Sequence, residues 1–278
     1  MALPRRFDPT KYKVVENHKQ PRKIMYAMLS ERSIPEPGAN SMLDVAMNAG
    51  RIGAGRIGIS YTRTDYARDT IVSQFLEITD GDKDTLIMFD DDHIHHPNTV
   101  ERLVAHDKGV VGALAFRRGT PYFPCAFNLD EKGMPLFPRD FDAPLMKVDV
   151  LGFSAVAMQR WVFGELIKHD FWYPWCRYEY PNVPMNKDVA FKDGVLVPHV
   201  ACGHGYQPPS EDIYFNKILA NSGIDKWVDT TLIAPHITVG VIDDKSWKSY
   251  VDDHQGDPGM IEREAMRSEE KVAEKVEA

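Results

Sequence analysis

The chain has 278 residues, 43% of them hydrophobic, a formal net charge of −8 and three cysteines. That is enough apolar material for a sizeable core, which excludes a wholly disordered protein, and the negative balance argues against non-specific binding to nucleic acid, which needs lysine and arginine to neutralise phosphates. Cys125, Cys176 and Cys202 are too scattered for a disulfide framework. No apolar run approaches the roughly 18 residues of a transmembrane segment, and MALPRRFDPTKYK lacks a signal-peptide core, so a cytoplasmic protein with buried thiols is expected.

Residues 1–21 read as a basic N-terminal extension. IMYAMLS (24–30) is a short apolar run before the breaker-rich SIPEPG and predicts a buried strand. Residues 40–49 suit a helix and RIGISYT (56–62) a second strand. GAGRIG (53–58) satisfies the G-x-G-x-x-G pattern, yet it follows a helical stretch and opens a strand, the reverse of a dinucleotide fingerprint, so it reads as a turn. From Asp65 to Ile78, the residues Ala67, Ile71, Phe75 and Ile78 recur at helical spacing, with Thr64 or Asp65 available as cap. TLIMF (85–89) is a further strand, Pro97 suits the first turn of a helix carrying Val100, Leu103 and Val104, and GVVGALAF (109–116) is another strand. This alternation predicts an α/β protein with a Rossmann-like, mixed and mostly parallel sheet flanked by helices.

From about residue 119 the texture becomes rich in proline and aromatic residues, which predicts long loops and antiparallel additions to the sheet. VDVLGFSAVAMQ (148–159) reads as a strand pair or bent strand leading into a helix at 161–168, and 170–209 as a loop layer. SEDIYFNKILANSG is a helix capped by Ser210 and stopped by Gly223, and WVDTTLIAPH a final strand. The domain is expected to span 22–245, with 246–278 a charged C-terminal tail.

The chemistry concentrates in LIMFDDDHIHHPN (86–98). Asp90, Asp91 and Asp92 follow a buried strand, and the carboxyl ends of strands are where open α/β sheets bind ligands. Three adjacent carboxylates repel one another unless something positive sits among them. Asp90 and Asp92, two apart on an extended chain, share a face and suit Mg²⁺ or Mn²⁺ with phosphate oxygens completing the shell. An acidic turn capping the next helix is the plainer reading. His93 and His95 are further candidates for the same cation, which would then favour Mn²⁺ or Zn²⁺, although the surface is the expected place for His95 and His96. Arg32, Arg63, Arg68, Arg117 and Arg118 lie near expected strand ends and suit a diphosphate or nucleobase. Trp172, Trp175 and Tyr178 are candidates for stacking on sugar, or for the core, and His199, Cys202 and His204 make a weak zinc pattern.

Taken together, these segments resemble a glycosyltransferase of the GT-A fold, close to the inverting family-2-like enzymes of bacteria and phages. The likeness runs through YARDTIVSQFL, the acidic triplet, VVGALAFRRGTPYFP, VDVLGFSAVAMQRWVF, SEDIYFNKI and LIAPHIT, in the family's order over roughly residues 22–240. The family's Arg-Asn pair reads Arg68-Asp69 here. The resemblance implies a metal held by Asp90, Asp92 and His236, and a nucleotide-sugar donor, a uridine diphosphate sugar by default, contacted by Ser30, Arg32, Arg63, Arg68, Asp90 and Asp91. It implies that Asp212, with Glu211 as rival, takes the proton of a hydroxyl acceptor. A nucleotidyltransferase making a nucleotide sugar, and a non-catalytic nucleotide or carbohydrate binding protein, are the alternatives.

Overall fold

The structure, a computed structural model, describes residues 22–29, 36–59, 64–119, 122–131, 133–138, 140–169, 175–176, 210–238 and 241–253. Its elements in chain order begin with β1 (Ile24–Leu29), α1 (Glu36–Arg51), β2 (Gly55–Ile57), α2 (Thr64–Ile78), β3 (Thr85–Asp90), α3 (Thr99–Ala105) and β4 (Val110–Ala115). They continue with β5 (Ala126–Leu129), β6 (Pro135–Leu136), β7 (Leu145–Val148), β8 (Val150–Leu151), β9 (Ala155–Gln159) and α4 (Arg160–Lys168). The last are α5 (Glu211–Asn221), β10 (Lys226–Ala234), β11 (His236–Ile237), β12 (Val241–Ile242) and α6 (Asp244–Asp253).

Seven strands form the main sheet in the order β2-β1-β3-β9-β4-β10-β7. β1 pairs in parallel with β2 and β3, and β4 in parallel with β10, while β9 and β7 run the other way. The sheet is thus mixed and mostly parallel, as the alternation of strands and helices predicts. From β1 the chain steps to β2 on one side and then back across to β3 on the other, so the ends of β1 and β3 flank a switch point.

Both faces of the sheet are covered, which is why its strands read as unbroken apolar runs. Alternate residues of β3 go to opposite layers. Leu86 and Met88 pack with Ile71, Phe75, Phe163 and Phe215 of α2, α4 and α5, whereas Ile87 and Phe89 pack with Met42, Val45 and Leu103 of α1 and α3. Among the described residues no helix is long and apolar enough to cross a membrane.

Several elements differ from their sequence expectation. α1 begins at Glu36, four residues early, because Pro37 lacks only an N–H that the first turn leaves unused. Pro97 instead precedes the Asn98 cap of α3. Ile78 is exposed at the end of α2, while Ala67, Ile71 and Phe75 are buried as their spacing predicts. Segment 148–159 divides between two sheets, β8 joining the small sheet β6-β5-β8 and β9 the main one. β10 is followed by the β11-β12 hairpin, so WVDTTLIAPH is not the last strand. The packed unit also continues past residue 245, since Trp247 and Val251 of α6 are fully buried against the β2–β10 core. Gly223 does end α5, with φ +68.

One carboxylate fastens the entry to β3. Asp84, only 4% exposed, accepts backbone N–H bonds from Lys23 at 2.8 Å, Gly81 at 2.9 Å and Asp80 at 3.2 Å. Its own carbonyl accepts from the Arg160 N–H at the start of α4. An Asp84→Ala variant strands these donors and is expected to lose about 3 kcal/mol of stability by urea denaturation, a loss under about 1 kcal/mol contradicting the role.

Candidate metal and donor site at the end of β3

The residues that follow β3 are held by a second piece of backbone. Ile94 donates its N–H to the Pro235 carbonyl at 2.9 Å, and Ile237 donates to Asp92 at 2.8 Å, so 92–94 and 235–237 form a short antiparallel bridge centred on His93 and His236. The turn after β3 is braced from within by His95, whose Nε2 lies 2.8 Å from the Asp90 carbonyl and whose backbone N–H reaches Ser41 Oγ. His95 is 2% exposed, contrary to its expected surface position, and burial pushes its pKa down to about 4. His96 is exposed as expected.

This bridge gathers Asp92, His93 and His236, whose ligand atoms all lie within 4.8 Å of one another. The two imidazoles stack at 4.1 Å between centroids. His236 Nδ1 lies 3.0 Å from the Phe116 carbonyl; a proton donated there leaves Nε2 as a lone pair facing Asp92 Oδ2 at 3.2 Å. His93 Nδ1 sits 2.8 Å from Asp92 Oδ1 but out of line for a hydrogen bond. Burial lowers the pKa of His93, which favours the neutral, ligating form. Burial works to raise the Asp92 carboxyl, and His236 and His93 beside it more than offset that. A carboxylate oxygen and two imidazole nitrogens converging from one buried and two half-buried residues fit a divalent cation, and two nitrogen donors suit Mn²⁺ or Zn²⁺ better than Mg²⁺.

Asp90 does not turn to this cluster. Its carboxylate takes two hydrogen bonds from Arg68 Nη2, at 2.8 and 3.1 Å, while Arg68 Nε reaches Glu211 Oε1 at 3.3 Å. Arg68 is 2% exposed, lies over the Phe153 ring, and leaves Nη1 without a partner among the described residues. Burial opposes its charge, and Asp90 and Glu211 outweigh that opposition. Asp90, expected as a metal ligand, and Arg68, expected as a phosphate ligand, are paired with each other in this structure, because a buried guanidinium needs carboxylates more than a solvated diphosphate does. Burial, together with Asp92, Glu211 and Asp212 nearby, pushes the Asp90 carboxyl up. Asp91 is buried.

Glu211 and Asp212 open α5 and separate in role. Glu211, 7% exposed, is committed to Arg68. Asp212 is half-buried, and its Oδ1 accepts from the Ser210 hydroxyl and, at 2.8 Å, from the Ile213 N–H. Ser210 occupies the cap position as expected, but its hydroxyl serves the Asp212 carboxylate and caps no backbone N–H. Among the described residues, Oδ2 of Asp212 has no hydrogen-bond partner.

Asp69, next to Arg68, accepts the backbone N–H groups of Trp175 and Cys176 at 2.9 and 2.8 Å, a role the sequence does not announce. Trp175 is fully buried against Phe163, so it belongs to the core and not to a sugar platform. Of the thiols, Cys176 is buried and Cys125 half-buried, and burial pushes Cys125 up to about 12. Ser30, Arg32, Arg63, Trp172, Tyr178, His199, Cys202, His204, the 1–21 extension, most of the 170–209 loop layer and the tail beyond residue 253 lie outside the described residues.

Comparison with protein-family models and with curated proteins finds no match to this chain.

An Arg68→Met variant is expected to lose about 3–5 kcal/mol at pH 7.5, since it leaves Asp90 and Glu211 uncompensated. The Asp90 carboxyl, which burial already raises against the opposing pull of Arg68, is then raised further, so the variant's native state takes up that proton first and the deficit narrows as the pH falls towards 5. Paired urea titrations at the two pH values check this, and a deficit that widens on acidification would contradict the pairing.

Proposed function

We propose that the protein is a metal-dependent glycosyltransferase of GT-A architecture that moves a sugar from a nucleoside diphosphate donor to a hydroxyl acceptor. The observation that carries this reading is the convergence of Asp92, His93 and His236 at the carboxyl end of β3, tied through Asp90, Arg68 and Glu211 to the N-terminus of α5, where one carboxylate oxygen of Asp212 has no hydrogen-bond partner among the described residues. Segments distant in sequence that resemble one family in order also meet at one strand end.

Asp92, His93 and His236 would hold the cation. When bound there, a divalent ion neutralises the charge that grows on a leaving nucleoside diphosphate. Arg68 and Glu211 fix α5 against β3 and so aim Asp212. The Ser210 and Ile213 donors hold Oδ1, which leaves Oδ2 to receive the acceptor's proton. As the acceptor oxygen bonds to the anomeric carbon and the carbon–oxygen bond to the diphosphate breaks, that hydroxyl becomes acidic, and a carboxylate suffices as base late in the step. Attack from the side opposite the leaving group inverts the anomeric centre. A uridine diphosphate sugar is the default donor. The free thiols of Cys125 and Cys176 suit a reducing compartment, and we place the reaction in the cytoplasm.

A thermal-shift screen of nucleotide sugars with and without Mn²⁺ tests the proposal, because a ligand of the native state raises its melting temperature. The largest shift is expected with both present. Asp92→Ala is expected to abolish it, and Asp212→Asn to preserve it while transfer falls by about 10²-fold or more. Loss of donor binding in Asp212→Asn contradicts its assignment as base, and donor binding indifferent to Mn²⁺ contradicts the metal.

A further inference from the structure

Arg118 lies in the turn after β4, beside the cluster, with 58% of its side chain exposed. Its Nη2 donates to Asp92 Oδ2, and its Nε donates to His236 Nε2 at 3.0 Å. Those are its hydrogen-bond partners among the described residues. Both are also atoms that would ligate a cation. With His236 Nδ1–H given to the Phe116 carbonyl, Nε2 and Asp92 Oδ2 are two acceptors 3.2 Å apart. Two facing lone pairs repel unless a donor or a positive charge stands between them, and the guanidinium is that charge.

We infer that Arg118 stands in for the divalent cation in the metal-free protein, so that guanidinium and metal compete for the same lone pairs of Asp92 and His236. The inference rests on the metal-site reading above. Binding of the ion must displace Arg118 into solvent, which its exposure and long stem permit without moving the backbone. The displaced side chain is left at the rim of the site, having no carboxylate partner but Asp92 among the described residues, and an arriving diphosphate finds a ready cationic partner there. The consequence is a site that holds free metal weakly and does not collapse through acceptor repulsion when empty. Arg117, adjacent and also exposed, has the same charge but neither contact, which makes it the control for a bulk charge effect.

Mn²⁺ affinity is measured by the electron paramagnetic resonance of the free ion, on the full chain without donor, for the wild type, Arg118→Gln, Arg117→Gln and Asp92→Asn. Arg118→Gln is expected to bind Mn²⁺ roughly five- to tenfold more tightly than wild type, the scale of one charge-assisted contact removed from the competition. Arg117→Gln is expected to change affinity by less than about twofold. Unchanged or weaker binding in Arg118→Gln, or an equal gain in Arg117→Gln, overturns the competition while leaving the metal site standing. Equal Mn²⁺ binding in wild type and Asp92→Asn removes the metal site itself and the inference with it. As a second readout, Arg118→Gln is expected to lower the melting temperature of the metal-free protein and not that of the Mn²⁺-saturated protein. An equal loss in both states marks Arg118 as merely structural.

Discussion

Negative charge gathered at the end of a buried strand has to be neutralised, and at the end of β3 two arginines do it in different ways. Arg68 comes from inside, on α2, and is buried between Asp90 and Glu211. Arg118 comes from outside and closes over Asp92 and His236. The inner pair costs desolvation that only its full set of partners offsets, so it fixes the geometry. The outer contact is half in water, where an ion pair is worth little, so on our inference it would give way to a better cation. One acidic cluster is thus divided into a buried part and a solvent-facing part.

The division explains how a fold made of ordinary parts positions chemistry. The Asp90–Arg68–Glu211 chain joins the end of β3 to the start of α5. The bridge between 92–94 and 235–237 then sets the second half of the acidic triplet, so Asp90 and Asp92 serve different partners although they share a strand end. Asp69 extends the same framework to Trp175 and Cys176.

Much of the fold was legible because both faces of the sheet are buried. Runs such as TLIMF and VVGALA have no polar alternation to confuse, and the helices between them carry clear apolar spacing. The insertion of β9 between β3 and β4 was not legible, since strand order depends on pairing between residues some 70 positions apart. At the site, Asp92 could be picked out as a carboxylate at a strand end, whereas only the family resemblance pointed to His236 and Asp212. Local sequence could not show that Asp90 is consumed by Arg68, because that depends on which carboxylate the α2 guanidinium reaches. Nor could it show that His95 is buried, because the Ser41 hydroxyl that its backbone N–H meets comes from α1, 54 positions away.

The central claim is that a divalent ion sits among Asp92, His93 and His236 at the tip of β3. Pulsed electron paramagnetic resonance of the Mn²⁺-loaded protein reads this directly, through the coupling of the metal electron to ligand nitrogen. The account predicts two histidine nitrogens in wild type and one after His236→Gln, with His95→Gln leaving both in place. A spectrum without nitrogen coupling, or one unchanged by His236→Gln, would contradict it.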